Sequence, residues 1–189
     1  MFDGSYRTAA IVTVGILLLT GIIGGAFAVH ADPSVGESLV AMMNEEVFNN
    51  IESENPAIVA FNIFANNTQT SLILFIGGAS FGLLTALILS FNGFIIGIVV
   101  EFVRQEQGLY VILAGILPHG IFEIPALVLA GMFGILLGEE LWKELHGNGD
   151  AISAAHRMGK QFLVYVLPLL GIAAIIEGFI TPEIIQLFI

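Results

Sequence analysis

Apolar residues gather into long runs along this chain. Thr8 to Val29 is one run, and Thr70 to Val100 is longer, with an interruption at Asn92-Gly93. Gly108 to Gly138 is interrupted at Pro118, and Phe162 to Thr181 carries a single charge, Glu177. A helix needs about 20 apolar residues to cross a bilayer. The pattern predicts an all-α, polytopic membrane protein of about five transmembrane segments, in one domain over residues 1–189. One segment is expected to be broken or re-entrant around Asn92-Gly93 and Pro118, because Asn-Gly favours a turn and proline removes a helical hydrogen bond.

The runs differ in what surrounds them. Ala26-Phe27-Ala28 resembles a cleavage site, but the first run exceeds the roughly 7–15 residues of a signal core. It reads as an uncleaved helix. Between residues 31 and 69, Leu39, Met42, Met43, Glu46, Val47 and Ile51 recur at helical spacing, which predicts an amphipathic helix ending before Asn55-Pro56. Residues 139–160 read as two short amphipathic pieces around a Gly147-Asn148-Gly149-Asp150 turn. Gly21 and Gly25, Gly77 and Gly78, and Gly131, Gly134 and Gly138 give thin helix faces that suit close packing in lipid. These faces predict a homodimer.

Charge sets the orientation. The chain has 5 Lys and Arg against 16 Asp and Glu, a net charge of -11. Residues 31–69 hold Asp32, Glu37, Glu45, Glu46, Glu52 and Glu54 and no basic residue. The positive-inside rule then places the N-terminus and 139–160 in the cytoplasm, with 31–69 and the C-terminus outside a plasma membrane. Hydrophobic residues make up 57% and mean hydropathy is +0.95, so the bilayer is the first partner. No basic cluster suits nucleic acid, and the lack of cysteine excludes thiol chemistry.

Candidate chemistry lies where ionisable residues interrupt apolar runs. His119 and Glu123 are four apart in Pro118-His119-Gly120-Ile121-Phe122-Glu123-Ile124-Pro125, and Glu177 stands alone in the last run. An isolated charge at bilayer depth costs several kcal/mol. On a helix, His119 and Glu123 share a face, Glu177 could meet them, and Asn92 could add an amide. Three readings stay open: a hydrogen-bonded lock, a divalent metal site such as zinc, or a proton or ion path. A zinc peptidase motif is missing. Glu101, Arg104 and Glu106 read as a solvated or locally paired turn.

The chain resembles the stage II sporulation protein M family. The resemblance rests on Asn66-Asn67, the Gly77-Gly78 region, Asn92 to Gly97, the block from Pro118 to Ala126, Gly134 to Gly138 and Ile175 to Phe179. It implies a small helical membrane protein with about five crossings. It also implies a non-enzymatic scaffold or envelope-remodelling component, as in engulfment during sporulation, meeting envelope or cell-wall proteins through 31–69. The alternatives are a transporter-like protein with a proton or metal site at His119, Glu123 and Glu177, or an intramembrane metal-dependent hydrolase.

Overall fold

The structure, a computed structural model, describes residues 4–50 and 55–187, without the side chains of 43–50. Among the described residues it holds eight α-helices: α1 Gly4–Ala31, α2 Ser34–Asn50, α3 Pro56–Ile76, α4 Leu83–Glu106, α5 Leu109–Leu145, α6 Ala151–Gln161, α7 Leu167–Phe179 and α8 Thr181–Ile185. A widened π-helical stretch, Phe162–Val166, joins α6 to α7. Four of the described helical runs are long and apolar enough to cross a membrane: α1, α4, α5 and the joined run Ala151–Phe179. α3 has 21 residues, but its apolar ends flank Asn66-Asn67-Thr68-Gln69-Thr70-Ser71. The expected five segments are thus four apolar spans with α3 beside them.

Two expected interruptions are continuous helix. α4 runs straight through Asn92-Gly93. The Asn92 amide donates to Ile88 O at 2.9 Å, one turn back, so the side chain follows the helix instead of ending it. Gly93 serves a close contact. Together with Gly97 it lets α4 meet α1 at Gly21 and Gly25, backbone against backbone. Gly21 meets Ser90 and Phe94, and Gly25 meets Phe94 and Ile98, so the two helices run parallel.

Pro118 and Pro125 likewise lie inside α5, a helix of 37 residues. Each proline costs one helical hydrogen bond, and the helix continues because packing on α1, α3, α4 and α7 holds it.

The chain reverses elsewhere. The apolar run from Thr70 to Val100 is divided at Gly77–Gly82. A short 3₁₀ turn there ends with Phe81 at φ 57° and Gly82 at φ 82°. Ser80 Oγ donates to Gly77 O at 2.7 Å and accepts from Leu84 N at 2.8 Å, stitching the corner. The other break falls at Gly108, where φ is 90°.

Side-chain caps start two helices where the sequence places a break and a turn. Asn55 accepts from Ala57 N at 3.0 Å, with Pro56 at the first turn of α3. Asp150 accepts from Ser153 N at 3.0 Å at the start of α6. Side-chain and backbone hydrogen bonds from Ser153 hold the Asp150 carboxyl below the ordinary aspartate range. α2 forms where the amphipathic segment was predicted, although Met43, Glu46, Val47 and Ile51 lie outside the described side chains.

The core sits where α5 crosses α1, α3, α4 and α7. Val14, Leu74, Leu89, Val166 and Leu170 are fully buried there, beside Ala126 and Ala130. Gly78 and Gly134 also pack backbone to backbone, and Gly138 meets the Phe81–Gly82 corner. The glycine faces assigned to a dimer from the sequence are therefore occupied within one chain. One end of the bundle collects Tyr6, Phe81, Trp142 and Lys143: the Lys143 ammonium lies 4.4 Å from the Tyr6 ring centre, and Phe81 packs edge-on against Trp142.

Candidate intramembrane polar site

α5 places His119 and Glu123 on consecutive turns, and α7 runs alongside it with Glu177 near its C-terminal end. Ligand atoms from all three lie within 4.8 Å of one another. His119 Nε2 is 3.7 Å from Glu123 Oε2. The His119 side chain is only 14% exposed and Glu123 33%, so the cluster is largely withdrawn from the surface. His119 Nδ1 is buried and has no hydrogen-bond partner among the described residues.

Glu123 faces a second feature. A cavity of about 120 Å³ is lined by Asn66, Asn67, Thr70, Ser71, Asn92 and Glu123, with apolar walls completing it. Asn92 and Glu123 therefore line the same cavity, which places Asn92 near the cluster. The α3 residues were not singled out as site residues from the sequence. Their signal was legible: six polar residues in a row, Asn66 to Ser71, inside a helix that is otherwise apolar. Ser71 is 1% exposed and Asn67, Thr68 and Thr70 are half-buried, while Asn66 and Gln69 stay exposed, so one face of this polar stretch turns inward.

Other ionisable groups go elsewhere. Glu101 accepts from Arg104 at 2.7 and 2.6 Å and from Gln105 at 2.8 Å, the locally paired turn expected at that end of α4. Lys143 bridges Glu139 at 2.8 Å and Glu140 at 3.1 Å. His146 Nδ1 lies 2.8 Å from Trp142 O, one turn back.

Chemically, the cluster can share protons among an imidazole and two carboxylates, or hold a divalent cation. The adjoining cavity can host polar or aqueous contents, which makes buried carboxylates tolerable at this depth. Fold and site together define an integral helical membrane protein with a polar centre built from α3, α4, α5 and α7. The model of the family described as Stage II sporulation protein M matches residues 14–182, and the chain belongs to that family.

Two uncharacterized proteins of Methanocaldococcus jannaschii are similar to it. One is 33% identical over 127 residues, covering 65% of this chain and 71% of the relative. The other is 26% identical over 139 residues, covering 71% of this chain and 61% of the relative. No solved structure matches the chain.

Proposed function

We propose that the protein is a non-enzymatic scaffold of the plasma membrane, with a cytoplasmic N-terminus and an extracytoplasmic C-terminus. It acts as a homodimer that engages envelope or cell-wall proteins through α2. The observation that carries this reading is the placement of α2. It follows the apolar span α1 directly and is fixed to the end of α4 by Gly36, which packs on the Phe102 ring. Glu37 and Met42 stay exposed, with Met42 at 63%. An acidic helix anchored at a bundle end is a suitable docking element.

The test is site-specific photo-crosslinking from Glu37, Ser38 and Met42 in native membranes. Crosslinks to an envelope protein, identified by mass spectrometry, are the expected result. Adducts with lipid alone from all three positions would refute the docking role. Crosslinks between copies would report the homodimer.

A second reading, a transporter-like protein with an intramembrane proton site, is favoured by the polar cavity at Glu123. Proteoliposomes should then pass protons, and Glu123→Gln should abolish the flux. Equal leak in both would remove that reading.

A further inference from the structure

We propose that His119, Glu123 and Glu177 bind one divalent transition-metal ion of the zinc class, with its open coordination facing the polar cavity. The proposal does not depend on the scaffold reading. It rests on three observations.

The first is the donor set and its placement. One imidazole and two carboxylates present ligand atoms within 4.8 Å of one another, from two helices whose packing fixes them. Nitrogen and carboxylate donors suit zinc and its first-row neighbours. Calcium and magnesium are hard cations that take oxygen donors, so an imidazole in the set favours a first-row transition ion over both. Donors at about 2.0–2.2 Å from a tetrahedral ion stand roughly 3.3–3.6 Å from each other. The 3.7 Å between His119 Nε2 and Glu123 Oε2 is close to that edge.

The second is that the imidazole is uncommitted. A separation of 3.7 Å is too long for a hydrogen bond. The other nitrogen, Nδ1, is buried without a partner among the described residues. A hydrogen-bonded lock would engage at least one ring nitrogen at about 2.7–3.2 Å. Among the described residues neither nitrogen makes a hydrogen bond, and Nε2 stands only at ion-pair distance from Glu123, an arrangement that leaves the imidazole available as a ligand.

The third is Glu123, which belongs to both the cluster and the cavity wall. Three protein ligands leave at least one position for water. A polar cavity of about 120 Å³ has room for several waters. Amide and hydroxyl groups of Asn66, Asn67, Thr70, Ser71 and Asn92 line it and can hold such waters by hydrogen bonds.

The test uses tag-free full-length chain in lipid nanodiscs, purified without chelator and then dialysed metal-free. It is titrated with Zn²⁺ and, as a spectroscopic probe, with Co²⁺. The expected result is about one equivalent of either ion per chain, with a visible d–d band for Co²⁺. His119→Gln and Glu177→Gln should weaken Zn²⁺ binding by more than about tenfold. Glu106→Gln, at the exposed end of α4, should bind as the parent does. Folding of each variant is checked by circular dichroism and elution volume. Should a variant fail to fold, zinc-edge X-ray absorption of the parent decides, with scattering from a single imidazole among oxygen ligands as the expected spectrum. A folded parent that retains no stoichiometric Zn²⁺ or Co²⁺ overturns the proposal, and so does a zinc spectrum without imidazole scattering. Equal affinity in parent and Glu177→Gln also overturns it and marks adventitious binding.

Discussion

Replacing Gly25 or Gly97 with alanine should force α1 and α4 apart. A Cβ on Gly25 would collide with the Phe94 carbonyl oxygen and stand 2.8 Å from Ile98 N and 2.9 Å from Phe94 C. A Cβ on Gly97 would collide with Ile22 O and stand 2.8 Å from Ile22 C. Every one of these neighbours is backbone, so no rotamer change relieves the contact. Ordinary contact begins at 3.4 Å, and the colliding carbonyl oxygens set the limit, so the helices must separate by roughly an ångström or more along a close-packed seam. Overpacking of this kind costs about 1–3 kcal/mol, and unyielding backbone argues for the upper half. Alanine returns about 1 kcal/mol of helix propensity. The net expectation is a loss of about 1–2 kcal/mol for each variant.

Gly15→Ala is the control, because nothing lies within 4 Å of its Cβ position. It should be neutral or gain up to about 1 kcal/mol. One widening of the seam relieves both clashes, so Gly25→Ala with Gly97→Ala should cost less than the sum. The assay is reversible unfolding in mixed micelles, with light scattering to follow subunit number. Since the seam is internal, subunit number should stay that of the parent. Equal stability of Gly15→Ala, Gly25→Ala and Gly97→Ala would refute the reasoning.

Thr85→Val should lose about 1–2 kcal/mol, because the buried Thr85 hydroxyl donates to Leu74 O at 2.8 Å and its removal strands that carbonyl; an undiminished melting temperature would count against that bond. In a double-mutant cycle, His119→Ala and Glu177→Ala should couple by at least about 0.5 kcal/mol, whereas simple additivity would mean that the two side chains do not share one centre. Glu37→Cys should react with an impermeant maleimide on intact cells and Asp150→Cys only after permeabilisation; the reverse pattern would invert the orientation. Asp150 has a depressed pKa in the fold, so its capping contribution is present above the ordinary aspartate range and fades as pH falls through it. The stability deficit of Asp150→Ala should therefore shrink as pH falls below about 4 and on through the lower folded-state pKa, and a deficit that grows on acidification would contradict the sign.

Helix content was legible because four described runs are long and apolar, a signal that needs no tertiary information. The ends of those helices were less so. Asn92-Gly93 reads as a turn because that pair favours turns in water, yet in lipid a glycine more often marks where backbones touch. Nothing local separates the two cases; what decides is the complementary pair Gly21 and Gly25, some 70 residues away. Pro118 and Pro125 mislead for a related reason. The rule that proline ends helices assumes that water or a turn takes over, and α5 instead has neighbours along most of its length. The real corner, Phe81-Gly82, hid inside an apolar stretch, since nothing about phenylalanine announces a left-handed φ.

At the site, His119, Glu123 and Glu177 stood out because charge is conspicuous in an apolar run, and the structure brings their ligand atoms together. The polar wall from α3 was harder to see. Asn66 to Ser71 looks like the solvated end of a loop until the fold turns Ser71 inward.

The length of α5 has a mechanical consequence. A rod of 37 residues is about 55 Å long, against a hydrocarbon slab of about 30 Å. Even at a tilt of about 40°, the upper end of the usual range, roughly 15 Å must stand clear of the slab. Leu109 and Tyr110, 57% and 73% exposed at one end, and Trp142 at the other are then the places where the surplus emerges. A thicker or thinner bilayer changes how far the rod leans. His119 and Glu123 ride on it and Glu177 on α7, which packs alongside, so the polar centre follows the lean as one body.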